Sequence, residues 1–216
     1  MSARTGLWRF VGQPGSLLEQ RPAQMERTEQ CEICGTPVAS RHGHVVDTRR
    51  RGLMCSCRAC FLLFTQDAVR GARYRAVPER YLSDPRRPVT DIEWKGLGIP
   101  VGSAFLLRGD TGVTAFYPSP AGAAERLLDL DYWTELAAGH PLLRMVEPDV
   151  EAILFRSTES GVDCFLVPVD VCYRLVGTVR LFWTGLDGGP QVREHIDELF
   201  AEISAKARSL IAEAGR

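Results

Sequence analysis

Residues 31–64 read CEICGTPVASRHGHVVDTRRRGLMCSCRACFLLF, and the cysteine spacing in this stretch decides how the rest of the chain is parsed. Cys31-Glu-Ile-Cys34-Gly35 is a CxxCG turn, and Cys57-Arg-Ala-Cys60 is a second CxxC. Two residues between cysteines let a tight turn aim both sulfurs at one ion. Glycine after the second cysteine permits the positive-φ turn. Two such turns supply four thiolates in a tetrahedron, the arrangement that structural zinc prefers. Cys31, Cys34, Cys57 and Cys60 are therefore the expected metal ligands, with zinc as the expected ion.

The segment between the turns has its own pattern. His44-Val-Val-Asp47 and Gly52-Leu-Met-Cys55 predict a short hairpin through Arg49-Arg50-Arg51. The second CxxC then opens a helix carrying Phe61, Leu62, Leu63 and Phe64. Knuckle, hairpin, helix is the order of a treble-clef finger, and a two-knuckle ribbon is the near alternative. Either module is too small to fold on an apolar core alone, so metal binding supplies much of its folding energy. Cys55 points the same way as Cys57 on a strand, so it is either an alternative ligand or a neighbour of the ligand set. Five cysteines in this pattern also suit iron, singly or as an iron–sulfur cluster.

His42 and His44 are read as metal ligands, as the base of a nuclease site, or as structural or surface histidines, the last being favoured. His44 with Asp47 superficially resembles the His-metal-finger nucleases. The pattern departs from theirs, because no acidic residue adjoins the histidine and no downstream Asn or His follows in the helix. Arg49, Arg50 and Arg51 form a basic tip. It is a weak candidate for phosphate contact and reads better as a solvated turn.

Composition bounds the remainder. The chain has 216 residues, 45% hydrophobic and 25% charged, as in an ordinary globular protein. No run of about 18 apolar residues predicts a membrane-spanning helix. Net charge is −1, but residues 1–90 hold 15 Arg, no Lys and 8 acidic residues, while the rest holds 11 basic and 19 acidic. The two halves therefore present differently charged surfaces. No export signal is read at the N-terminus, so a cytoplasmic location is expected, with cysteines as ligands or core residues.

The organisation expected is a flexible leader at 1–30, a cysteine-rich metal-binding module at 31–66, an Arg/Pro/Tyr-rich connector at 67–100 and an α+β domain at 101–216. Within the leader, Leu7 to Val11 is a candidate docking peptide. Thr90-Asp-Ile-Glu93 starts a short helix. Ala104–Leu107 with Val113–Tyr117, and Ala152–Phe155 with Asp163–Val167, predict two hairpins. Helices are expected from Ser119 to Leu128, from Asp131 to Leu136 and from Asp170 to Val176, and a strand from Thr178 to Trp183. Apolar residues at 192, 196, 199, 200, 203, 207, 210 and 211 trace one face of a long C-terminal helix. The fold class expected is thus α+β: a small treble-clef or ribbon-like four-cysteine zinc module, then an antiparallel sheet domain closed by that helix. Cys164 and Cys172 read as core residues. His140, His195, Tyr117, Asp170 and Asp187 form no convincing catalytic set, and no phosphate loop or dinucleotide fingerprint appears.

Several long stretches carry a resemblance. They are Cys31-Glu-x-Cys34, His42-Gly-His-Val-Val-Asp47, Cys55-x-Cys-Arg-x-Cys-x-Leu-Leu-Phe64 and Gly71-x-Arg-Tyr-Arg-x-Val-Pro78. Further along come Ala115-Phe-Tyr-Pro-Ser-Pro-Ala-Gly122, Pro168-Val-Asp170 with Cys172-Tyr173, and Gly185-x-Asp-Gly-Gly189. In these the chain resembles a group of actinobacterial proteins of unassigned activity, encoded beside uptake nickel–iron hydrogenase genes. The resemblance makes a hydrogenase accessory role the leading expectation: a metal-binding accessory or assembly protein whose partner would be a hydrogenase subunit or maturation factor, with no catalysis of its own evident in the sequence. A redox protein with iron at the same cysteines and a nucleic-acid-binding finger are the alternatives.

Overall fold

β1 (Gly43–Asp47) and β2 (Gly52–Ser56) form the antiparallel hairpin expected between the cysteine pairs. The computed structural model describes residues 29–65, 72–109, 112–119, 122–185 and 188–210. Asp47 pairs with Gly52, which places His44 opposite Cys55 and Val45 opposite Met54. α1 (Arg58–Leu62) follows directly. β3 (Tyr74–Ala76) pairs antiparallel with the other edge of β1, so this small sheet runs β2-β1-β3. Gly43 has a packing reason: a Cβ there would meet Cδ2 of Phe61 at 2.5 Å.

The second sheet has seven strands. They are β4 (Leu82–Ser83), β5 (Ser103–Gly109), β6 (Gly112–Ser119), β7 (Gly122–Leu127), β8 (Glu151–Thr158), β9 (Gly161–Pro168) and β10 (Arg208–Ser209). Their spatial order is β10-β4-β9-β8-β5-β6-β7, antiparallel throughout except that β10 runs parallel to β4. α2 (Asp91–Gly96), α3 (Leu130–Gly139) and α4 (Pro141–Arg144) pack on one face; α5 (Val169–Phe182) and α6 (Gly189–Lys206) pack on the other.

The central strands are apolar on both faces for this reason. In β8, Ile153 and Phe155 join the core with Trp94, Trp133 and Leu136, while Ala152 and Leu154 join the core with Leu175, Phe200 and Ile203. A strand buried on both faces reads as a continuous apolar run instead of an alternation. Ala152-Ile-Leu-Phe155 is such a run. α2 starts as its sequence predicts: Thr90 and Glu93 form a reciprocal capping box. No helix among the described residues is long and apolar enough to cross a membrane.

Three expectations for this domain are corrected. The helix expected from Ser119 to Leu128 is strand β7, with Ser119 paired to Gly122 and Thr114 to Leu127; Pro120 and Ala121 lie outside the described residues. Pro120 suits a helix start and a turn equally, and pairing with β6 overrides the weak local preference. The strand expected from Thr178 to Trp183 is the second half of α5. Val171, Cys172, Leu175 and Val179 are buried at helical spacing, and this stripe outweighs the β-branched and aromatic composition of Thr178-Val-Arg-Leu-Phe-Trp183. The C-terminal helix ends at Lys206, and Arg208–Ser209 become β10; Ile211 lies outside the described residues.

The stretch 67–100, expected to connect, contributes to both sheets. β3 belongs to the small sheet and β4 to the large one, with α2 between β4 and β5. The leader segment Leu7 to Val11, Arg70 and Asp187 lie outside the described residues.

Candidate metal centre

The first CxxC is closed by backbone hydrogen bonds. The Cys31 N–H donates to Thr36 O at 2.8 Å, and the Gly35 N–H donates to Cys31 O at 2.8 Å. Gly35 sits at φ +74, the left-handed region where glycine carries no side-chain penalty. The second CxxC is shaped by α1. Cys57 is its N-cap, and the Cys60 N–H donates to Cys57 Sγ at 3.5 Å.

These two turns meet. The Sγ atoms of Cys31, Cys34, Cys57 and Cys60 all lie within 4.8 Å of one another, and those of Cys34 and Cys57 are 3.7 Å apart. A tetrahedron with metal–sulfur bonds of about 2.3 Å has edges of about 3.8 Å, so the donor set fits one thiophilic ion. Cys31 and Cys60 are buried against Val38.

Electrostatics reflect the crowding. Burial alone would raise the Cys31 thiol, but hydrogen bonds from the backbone at Cys57, Cys34 and Ile33 bring it down to about 6. Hydrogen bonding to Thr36, whose Oγ1 is 3.4 Å from Cys34 Sγ, lowers Cys34. Cys60 is pushed up to about 12, first by its hydrogen bond with Cys34 and then by burial. The Cys60 thiol therefore holds its proton most tightly, and a bound cation would displace it, because the thiolate is the ligand.

Cys55 stands apart from this set. Its sulfur groups with His42 and His44, the three donor atoms lying within 4.8 Å of one another. Cys55 is tied to the first knuckle through its backbone: its N–H donates to Glu32 Oε1, and its carbonyl accepts from the Glu32 N–H, both at 2.9 Å. Burial, then the Glu32 and Glu29 carboxylates, raise its thiol.

The histidines are not bare surface groups. His42 Nδ1 lies 2.8 Å from Ala39 O, and His44 Nδ1 lies 3.0 Å from Asp170 Oδ2 in the first turn of α5. Asp47 faces elsewhere. Its carboxylate accepts from Nε and Nη2 of Arg73 at 3.1 and 2.9 Å and from the amides of Arg49 and Arg50. Arg73 holds its pKa below the usual carboxylate range. The acidic partner of His44 is therefore Asp170, remote in sequence, and Asp47 braces the turn.

The arginine tip is partly anchored. Arg51 adopts φ +50, and its carbonyl accepts the Tyr173 hydroxyl from α5. Cys172 is buried and Cys164 half-buried beside the cores, both with thiols raised by burial. His140 is buried between Glu93 and Arg87 O. His195 pairs with Glu198 on the exposed side of α6, and Tyr117 packs against the core.

Asp170 and Tyr173 are the site residues hardest to find from the sequence, since both act on the hairpin from another element. The register was accessible. A hairpin closing at Asp47 and Gly52 puts His44 opposite Cys55, with His42 just before the strand.

Residues 30–207 match the model of a family of unknown function, DUF5947. No curated protein and no solved structure matches the chain.

Proposed function

We take as premise that the chain belongs to the DUF5947 family, and we propose that it is a zinc-binding accessory or assembly protein that works through a protein partner. One observation carries this reading. Two hydrogen-bonded CxxC turns bring four thiol sulfurs within 4.8 Å of one another, a set that fills a tetrahedral coordination sphere and leaves no position for substrate. Knuckle, hairpin and helix in that order support a treble-clef form. Bound zinc would supply cross-linking of these elements, and no acid–base chemistry. The role of the residues is to hold it: Cys31 and Cys34 from the knuckle, Cys57 and Cys60 from the start of α1.

The partner proposed is a component of a nickel–iron hydrogenase system, a subunit or a maturation factor, met in the cytoplasm. Its support is the likeness of the cysteine, histidine and Pro168–Tyr173 stretches to proteins encoded beside such genes. Tagged protein recovered from native cells is expected to bring down a hydrogenase subunit or maturation factor, and deletion to lower hydrogen uptake. Absence of both effects would sink the partner assignment.

The metal is tested separately, by elemental analysis and a visible spectrum of protein purified without oxygen. Zinc at the four-cysteine centre and no colour support the structural reading. Iron with thiolate absorption makes the centre an electron carrier. Neither metal at these four cysteines overturns the proposal.

A further inference from the structure

We propose that His42, His44 and Cys55 form a second metal site, distinct from the four-cysteine centre, that holds a zinc-type divalent ion with one coordination position open. The hairpin register assembles the trio. His44 and Cys55 are directly opposed in the β1–β2 pairing, so their side chains share a face. His42, just before β1, brings its ring to the same side, with its centroid 4.9 Å from that of His44. Gly43 between them gives the other face to Phe61. Cys57, two residues beyond Cys55, leaves the strand to cap α1. The two cysteines thereby serve different clusters.

The donor atoms are within 4.8 Å of one another, and the imidazoles meet edge-on with centroids 4.9 Å apart. Each ring is oriented from behind. His42 Nδ1 faces Ala39 O at 2.8 Å, with Glu29 Oε2 at 3.6 Å; His44 Nδ1 faces Asp170 Oδ2 at 3.0 Å. A carbonyl and a carboxylate only accept, so Nδ1 of each neutral ring carries the proton and Nε2 keeps the lone pair. Metal-ligating histidines are held this way, the second nitrogen donating to a carbonyl or carboxylate that fixes the tautomer.

An independent observation points to a ligand. The His42 side chain is only 9% exposed, and its Nε2 is buried with no hydrogen-bond partner. Buried polar atoms almost always have a partner, and on a ring that already belongs to a cluster of three donor residues a cation would supply one. Asp170 Oδ1 is likewise buried without a protein partner.

The donor set selects the ion. Two imidazoles and a thiolate reject magnesium and calcium and suit zinc, cobalt, nickel or copper. Three protein ligands leave a tetrahedral ion one position short, to be filled by water, a small anion or a donor from another protein. The four-cysteine centre is closed; this one is open, and it sits where the hairpin meets α5.

The test is Co2+ titration of protein whose four-cysteine centre is already loaded with zinc. The wild-type protein is expected to take up one further Co2+ with thiolate-to-metal absorption. Azide should shift the visible bands by entering the open position. Cys55→Ser should abolish the thiolate band and His42→Ala the tight binding, while both keep the zinc and the thermal transition. Asp170→Asn, which leaves all three ligands in place, should weaken binding by roughly 10- to 100-fold. If wild-type protein takes up no further Co2+, or the trio variants bind it unchanged, the proposal is overturned. Loss of the first zinc would count against the four-cysteine reading instead, so the two failures are distinguishable. Co2+ bands unmoved by azide would refute the open position.

Discussion

Glu151 is a fully buried carboxylate at the start of β8, and Arg80 answers it with Nε at 2.8 Å and Nη2 at 2.7 Å. The Glu147 N–H donates to the same carboxylate at 2.9 Å. Removing one partner of a buried pair is costly because it strands the other charge, whereas replacing both with apolar groups is often neutral. Arg80→Met should therefore destabilise by about 3 kcal/mol, the low end because the guanidinium is partly exposed. That corresponds to roughly 6–12 °C in Tm for a chain of this size. Arg80→Met with Glu151→Met should recover most of the loss in a thermal melt. A single variant that melts with the wild type would refute a structural role for the pair. Nothing in the sequence joins positions 80 and 151. The same holds for His44 and Asp170, 126 residues apart. Cysteine spacing is legible because local turns set it; partners supplied by distant elements leave no local mark.

α5 and α6 are joined at their surfaces by Glu202, which lies between Arg174 of α5 and Lys206 one turn on in α6. Arg174 chiefly, then Lys206, pull its pKa down to about 2. An unfolded glutamate titrates near 4.3, so the folded state disfavours protonation, and the contribution is complete above that pH. It is lost as pH falls from about 4.3 toward 2. Because Glu202 is substantially exposed, solvent screens the pair and the effect is modest. Glu202→Gln should lose less stability than wild type across that window, and added salt should narrow the difference. Equal acid slopes for the two proteins would refute the assignment. The helices themselves show what periodicity reveals. α6 is readable because its apolar stripe is long and its opposite face acidic. α5 is readable only in its first half, since Thr178, Val179, Phe182 and Trp183 also suit a strand, and only the packing of α5 across the large sheet from β9 to β7 decides between the two.

Across the whole molecule, among the described residues, the small sheet is seated on the large one through a short set of contacts. Val46 and Val77 meet Val150 and Val169 in a small apolar cluster. Arg75 reaches Pro148 O and Glu147, His44 reaches Asp170, and the Tyr173 hydroxyl donates to Arg51 O. Such hydrogen bonds contribute about 0.5–1.5 kcal/mol net between neutral groups and about 1.5–3 kcal/mol where one partner is charged. A structural zinc contributes on the order of 10 kcal/mol to a finger that cannot fold without it. The metal, and not the seating, should therefore decide whether the hairpin is ordered. The large sheet has two apolar cores of its own and should not depend on the metal. Chelation should consequently split the molecule's protection against hydrogen exchange. Amides of 43–47 and 52–56 should exchange far faster after the metal is stripped, while those of 151–158 and 161–168 stay slow. Uniform loss would mean that the small sheet is part of the main folding unit. Unchanged protection throughout would mean that contacts to α5 and to residues 147–150 suffice to order the hairpin, and the four thiols would then need a role other than holding the fold.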